Sequence, residues 1–467
     1  MENGSGRTHI KISFAGNINL DTKILRSILM GDLIKEIQNM FSEHDDFFLE
    51  KELKDRTPIY LMGFNTLIDL TKSNKYVRQM AASSASVTEL FINLSDQVDV
   101  DTVQIKNALL KGKLVIVSEN DKRNAIVDPV SRNLTRSIAE PQSQSPLQSS
   151  VDAFVEDINT NIGLIRKRMN TERLYHCSYE VGELENRKLS MLYIKGMAPD
   201  ALIKEIKRQI KKIDSDIDTV EDLNKYFGVR RFSLVSHVFQ TELPNEATSL
   251  LKKNRIVLFL DNYPFALVFP QTLWDMFNIA SDRNYPSILA YAIRTLRGVG
   301  AIVNVLLPAL YVSFVSVNPE ALKIDLALFV SESRQGIPFP ALIETIIMVV
   351  LVDLILEAIV RLPKSVGPTI TMVGGIILGQ AMVEAKLVSQ LLVIVVTAIV
   401  ISGSVVAGIQ NSLYIRLLRY PILILASIYG ILGMFIGFLF TIVYLANLKS
   451  IGIPYTSFHI NRKGDAK

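Results

Sequence analysis

Apolar positions along this 467-residue chain follow three patterns, each predicting a different kind of structure. Between residues 51 and 285, short apolar runs alternate with stretches of three-and-four spacing, the mark of mixed strands and helices. Strands are expected over 59–62 and 113–117, with a turn at 118–124 and a return at 125–127. A helix is expected from Val151, carried by Val155, Ile158, Ile162 and Ile165 and ended by the basic Arg166, Lys167 and Arg168. Tyr175, Cys177, Tyr179 and Val181 alternate as a half-buried strand that returns at 189–195. Pro199 opens a helix to Ile213, apolar on one face and lysine-rich on the other, and 256–260 with 265–269 reads as a last hairpin.

The second pattern is sustained hydrophobicity. A bilayer core about 30 Å thick needs about 20 apolar helical residues. Four stretches reach that length: 298–318, with a central Pro308; 339–360, apolar apart from three acids; 387–409; and 421–448. A fifth, 366–385, is crowded with small residues, and Gly375 and Gly379 form a GxxxG pair extended one turn back by Thr371. Such spacing lets helix backbones approach closely. That stretch either spans or enters and leaves on one side. The third pattern lies between the first two stretches, where Leu322, Leu326 and Phe329 recur at helical spacing beside Glu320, Lys323 and Asp325, as in a helix lying along an interface.

The expected architecture is therefore an α/β two-lobed cytoplasmic domain followed by an all-α polytopic membrane domain of four or five spans. The divisions fall at 1–135 for the first α/β lobe, 136–150 for a Ser, Gln and Pro-rich linker, 151–285 for the second lobe, 286–458 for the transmembrane helices and 459–467 for a polar tail. Residues 1–20 lack an unbroken apolar core, so the amino-terminal part is expected to stay where it is made. Positive charge agrees. With five spans, Arg283, Arg294, Arg297, Arg361, Lys364, Arg416 and Arg419 flank the side of the α/β lobes, against Lys323, Arg334, Lys386 and Lys449 opposite, which places the lobes in the cytoplasm. A re-entrant fifth stretch gives the same bias, so the rule leaves the side of the tail open.

Composition narrows the chemistry. From Tyr285 onward there are 13 Lys and Arg and 8 Asp and Glu, and the chain's net charge of +4 supports no nucleic-acid stripe. One Cys excludes an internal disulfide and paired-Cys metal sites. No GxxxxGK, HExxH or GxSxG is present. His176 and His237 lack neighbours at metal-ligand spacing, and Cys177 reads as a small buried hydrophobe. The expectation is a non-enzyme without cofactor or metal.

Three acids stand in the second apolar stretch, Glu344, Asp353 and Glu357. At the bilayer centre each costs on the order of 2.5 to 3.5 kcal/mol on insertion scales, so each must face protein or water. Asp353 and Glu357 share a face and Glu344 points the opposite way. Glu357 reads as an ion pair with Arg361 four residues on, and Glu344 as a packing or subunit-interface acid. For Asp353 two readings stand side by side, an internal tie and a water-filled path for cations or protons.

These residues sit among motifs that resemble the A subunit of the GerA family of bacterial spore germinant receptors. The motifs are TRSIAEP at 135–141, FVEDINTNIGLIRKRM at 154–169, LLPALYVS at 306–313, SRQGIPFPALIE at 333–344, RLPKSVG at 361–367, VGGIILGQAMVEAKLVS at 373–389 and IGIPYTS at 451–457. The resemblance implies a receptor subunit in the spore inner membrane, with its amino-terminal domain on the core side. It also implies a transporter-like B subunit, a lipoprotein C subunit, and homo-oligomerisation into a gated ion-conducting pore. Thr371, Gly374, Gly375, Gly379 and Gln380 are then candidate pore or helix-packing residues. Departures from the family pattern are Val349 where an acid is usual, Leu356 where an Arg is usual, and the neutral stretch 144–149. A single-chain secondary transporter and a non-conducting membrane adaptor are the competing functions.

Overall fold

The computed structural model describes residues 33–129 and 152–460, apart from 55–56, 85, 96, 119–122, 229–232, 280–281, 283, 362–366, 407–408 and 459. The expected linker 136–150 and most of the polar tail lie outside the described residues. Two compact units are present, Met1–Leu134 with Met169–Cys177, and Thr135–Arg168 with Ser178–Lys467.

The first unit begins with α1 (33–41) and the antiparallel pair β1 (Phe47–Lys54) and β2 (Thr57–Phe64). Then follow α2 (Leu70–Ser83), α3 (Val87–Leu94), β3 (Gln97–Val98), α4 (Thr102–Leu110), β4 (Leu114–Ser118) and β5 (Arg123–Val127). The sheet is antiparallel, in the order β1-β2-β4-β5-β3. Its centre is β4, a run of β-branched and aliphatic residues buried on both faces. Side-chain oxygens start the helices: Asp69 accepts from the Lys72 amide and Ser86 from the Glu89 amide.

A second sheet repeats the plan. After α5 (Ile158–Arg168) come β6 (Leu174–Val181), β7 (Arg187–Ile194), α6 (Asp200–Ile210), α7 (Val220–Tyr226), β8 (Phe239–Thr241), α8 (Pro244–Leu251), β9 (Ile256–Leu260) and β10 (Ala266–Phe269). The order β6-β7-β9-β10-β8 matches the first sheet strand for strand, and the helices fall between equivalent strands. In the β9–β10 turn Asn262 takes φ 60, a left-handed conformation that Asn tolerates.

Three expectations shift here. Helix α5 starts at Ile158 rather than Val151, because Asp157 caps it through the Thr160 amide at 3.0 Å. Asn161 meanwhile holds Val155 in extended chain by bonding both its N–H and C=O. Along β6 it is Leu174, His176 and Val181 that are buried. Cys177 is half-buried, so it is not the core hydrophobe its composition suggests.

Beyond the second sheet the chain is helical. α9 (Ser287–Val312) runs on through a π turn to Val317, and this 31-residue rod is long and apolar enough to cross a bilayer. α10 (Ile324–Ser333) is short, with Ile324, Leu326, Leu328 and Phe329 all exposed. Next come α11 (Ala341–Arg361), α12 (Gly367–Glu384) and α13 (Gln390–Ser404).

The segment Ile409–Asn447 holds the main departure from the sequence reading. The stretch 421–448 is not one rod. At Gly430 the backbone turns to φ 61, ψ -139, leaving two arms, α14 (409–429) and α15 (431–447). The arms fold back on each other: a Cβ placed on Gly437 would lie 3.1 Å from the Ile422 Cα. In a continuous helix those positions would be about 22 Å apart. Asn318, at the end of the π turn after α9, closes the break, its Oδ1 accepting from the Ile431 amide at 3.0 Å.

Six helical segments, α9 and α11 to α15, therefore run between an end beside the second sheet and a far end. α9 starts near the sheet, where Arg297 binds Asp282 at 2.6 Å and the Phe277 carbonyl at 3.0 Å. Its far end meets the start of α13, where the Tyr311 and Ser389 hydroxyls bond at 2.9 Å. α15 returns to the sheet end, where Tyr414 and Tyr444, one from each arm, pack around Val235, Met276 and Tyr455. The strands β11 (Lys449–Ser450) and β12 (Ile453–Pro454) complete the return.

This junction is tied at several points. The Leu234 amide donates to the Tyr444 hydroxyl at 2.9 Å, Ser450 Oγ to the His237 carbonyl at 2.8 Å, and the Leu273 amide to the Tyr455 carbonyl at 2.8 Å. Trp274 stacks on Phe458 at 4.0 Å. His237 is buried, its Nε2 3.0 Å from Ser233 Oγ, and burial pushes its pKa below the ordinary 6.5 while a Lys449 backbone contact opposes the shift. An unfolded chain therefore takes up the proton first, so this contribution to stability is full above pH 6.5 and declines as pH falls below it. The thermal midpoint of the full chain in detergent should drop on acidification through that window, and His237→Gln should flatten the drop. An unchanged pH profile in His237→Gln would remove His237 as the cause.

Candidate functional site

The candidate residues fall into two groups, acids that the helices tie up and small residues of α12, of which Gly375 and Gly379 have nothing within 4 Å of an added Cβ among the described residues. Glu344, in the first turn of α11, is fully buried. Its Oε1 accepts from the Ser389 amide at 2.6 Å, and its Oε2 lies 3.4 Å from Arg334 Nε. The carboxylate thus sits at the amino-terminus of α13, whose cap Ser389 also accepts from the Leu392 amide at 3.2 Å. Negative charge is favoured there by the helix dipole.

Asp353 faces the opposite side of α11, towards α14. It pairs with Arg419, accepts from the Tyr420 hydroxyl at 2.7 Å and lies 3.9 Å from Arg416. Glu357, one turn on, bonds Arg361 at 2.7 Å. Each acid thus has a basic partner inside the chain, and those of Glu344 and Asp353 anchor α11 at two levels. Around Asp353 is a cleft between α9, α11, α13 and α14, lined by Asn304, Val352, Leu356, Gly403, Ser404, Arg416 and Arg419. Asn304 holds α9 to α13 by donating to the Ile399 carbonyl at 2.8 Å.

The small residues behave differently. On α12, a Cβ added at Gly375 or Gly379 would meet nothing within 4 Å. Gln380 is exposed among exposed Met372, Ile376 and Ile377. Thr371 and Gly374 lie on the same helix, but their surroundings fall outside the described residues. Among the described residues nothing packs on the GxxxG pair. Among the described residues no three His, Cys, Asp or Glu side chains gather as a metal site requires.

The sequence places the three acids and the Glu357 partner Arg361, four residues on, but not the partners of Glu344 and Asp353. Arg416 and Arg419 read there only as flanking charge, and Asn304, Asn318 and Ser389 carry no role. A signal was present: two arginines three apart ahead of an apolar run need an acid on a neighbouring helix, and Asp353 was the acid with an open role.

Arg419 is buried and Asp353 half-buried, so removing the carboxylate leaves a buried guanidinium uncompensated, at a cost of up to about 3 kcal/mol. Asp353→Asn should therefore lower the thermal midpoint of the detergent-solubilised chain, and Asp353→Asn with Arg419→Met should recover much of the loss. A double variant less stable than the single would show that the pair is not the source.

The chain was compared with known proteins on this footing. The family model described as Bacillus/Clostridium GerA spore germination protein matches residues 35–466. Spore germination protein XA of Bacillus anthracis is 31% identical over 412 residues, covering 85% of this chain and 83% of that protein. Spore germination protein A1 of Bacillus subtilis (strain 168) is 31% identical over 423 residues, covering 89% and 87%. A crystal structure of the N-terminal domain of the A subunit of the Bacillus megaterium spore germinant receptor GerK3 overlaps 50% of this chain and 92% of its own, at 19% identity and a TM-score of 0.37. The chain belongs to the GerA family of spore germination proteins.

Proposed function

We propose that this chain is the A-type subunit of a spore germinant receptor and that copies of it assemble through α12 into a gated ion-conducting path. The observation that carries this reading is the face of α12 where, among the described residues, Gly375 and Gly379 have nothing packed on them and Gln380 is exposed, although each acid of the neighbouring helix α11 has a basic partner within the chain. A transmembrane helix lined with small residues is suited to close contact with another helix. The acids inside the chain, tied to Arg334, Arg361 and Arg419, support a path between copies over one through a single chain, which disfavours the single-chain transporter.

In this reading the six helical segments cross the spore inner membrane, and the sheets and the returning tail lie on the core side. The family resemblance supplies the partners, a transporter-like B subunit that binds the germinant and a lipoprotein C subunit. Interfacial α10, on the far side, rests at the opposite surface.

The test compares spores that lack the chain with spores carrying it or a Gly375→Trp form, under germinant. Triggered cation release should require the chain, and the bulky replacement should abolish release while the protein still accumulates. Release unaffected by Gly375→Trp would remove the α12 contact. Crosslinking in membranes that yields only monomer would leave the non-conducting adaptor as the better function.

A further inference from the structure

The geometry points to a binding site for a phosphate group in the cleft between α11 and α14, with Arg416 and Arg419 as its cationic wall. Among the described residues around Asp353, the carboxylates of Asp353 and Glu357 face three guanidinium groups, those of Arg361, Arg416 and Arg419. One positive charge is left over. Arg361 is taken by Glu357, and Asp353 is engaged by Arg419 and the Tyr420 hydroxyl. Arg416 is left with the neutral Ser412 hydroxyl, at 3.0 and 3.3 Å, and a distant carboxylate at 3.9 Å. A cation in apolar surroundings calls for a counter-charge, and the guanidinium fork matches phosphate oxygens.

A second observation is independent of the charge count. Arg419 and Asn304 are both at least 97% buried, and both line the cleft. Among the described residues, Arg419 Nε and Asn304 Oδ1 have no hydrogen-bond partner, and neither has Asp353 Oδ1. One of these atoms donates and two accept. A phosphate that also carries a hydroxyl meets both needs, its oxygens accepting from the arginines and its hydroxyl donating to Asn304 or Asp353. Hydrogen phosphate has that chemistry, and so does the glycerol-phosphate headgroup of a phospholipid.

Access fits either source. Side chains on a helix tilt toward its amino-terminus, and α14 begins at the sheet end, where Gln271 lies 3.4 Å from Asn411. Arg416 is therefore directed toward the sheet end of α14, which on the membrane placement proposed above is where headgroups of one leaflet lie, while Arg419 stays deeper.

The test measures the thermal midpoint of the purified full chain in detergent. Titrants are inorganic phosphate against sodium chloride of equal ionic strength, and phosphatidylglycerol against phosphatidylcholine. A rise with inorganic phosphate assigns a free anion, and a rise with phosphatidylglycerol alone assigns a headgroup. In either case Arg416→Gln should weaken the response roughly tenfold or more, as expected for loss of a charge-assisted bond. If Arg416→Gln does not fold, Arg416→Lys keeps the charge without the fork and should still show a weakened response. No rise with any phosphate source, or an equal rise in the variants, would overturn the site. Because binding is read on the purified chain, its failure is separate from failure of the germination reading.

Discussion

A helix broken in apolar surroundings leaves backbone groups that water cannot satisfy, and the architecture of the carboxy-terminal half rests on how one such break is closed. At Gly430 the chain adopts a conformation open to glycine, and Asn318 supplies the acceptor for the Ile431 amide. That single bond joins the end of α9 to the tip of the α14–α15 hairpin. From it follows the return of α15 to the second sheet, where Tyr414 and Tyr444 meet around Tyr455. Residues 448–455 then lie beside the second sheet, with Ser450 bonded to the His237 carbonyl.

The same need for internal satisfaction governs the acids of α11. Glu344 caps the amino-terminus of α13 and Asp353 meets the arginines of α14, so one helix is bolted on opposite sides. Helix α12 then projects Gly375 and Gly379, on which nothing packs among the described residues. Internal ties and a bare small-residue face are complementary: a protomer with its own charges settled can offer an apolar, close-packing surface to another copy. Near Arg416 the settling is incomplete, since among the described residues its guanidinium meets only the Ser412 hydroxyl and a carboxylate at 3.9 Å.

Much of this was legible in the residues. Apolar run lengths located the helical half, and the four-residue step from Glu357 to Arg361 predicted their bond. The hairpin at 256–269 followed from two apolar runs around Asp261 and Asn262. What stayed hidden depends on distant partners. Gly430 looks like one more glycine in an apolar stretch until Asn318, over a hundred residues earlier, fills the break. Asp353 had two readings because Arg419 belongs to another helix. The late start of α5 depends on Asn161 bonding back to Val155, a contact that competes with the helical pattern beginning there. The matching strand orders of the two sheets leave no sequence motif by which the duplication could have been read.

The fold-back at Gly430 is tested most directly by a distance. Spin labels at Tyr414→Cys and Tyr444→Cys, in a chain whose Cys177 is replaced, report the separation of the two arms at the sheet end. The hairpin predicts a short distance, since both positions flank Tyr455. A single straight helix would hold them about 45 Å apart, and that separation would contradict the account.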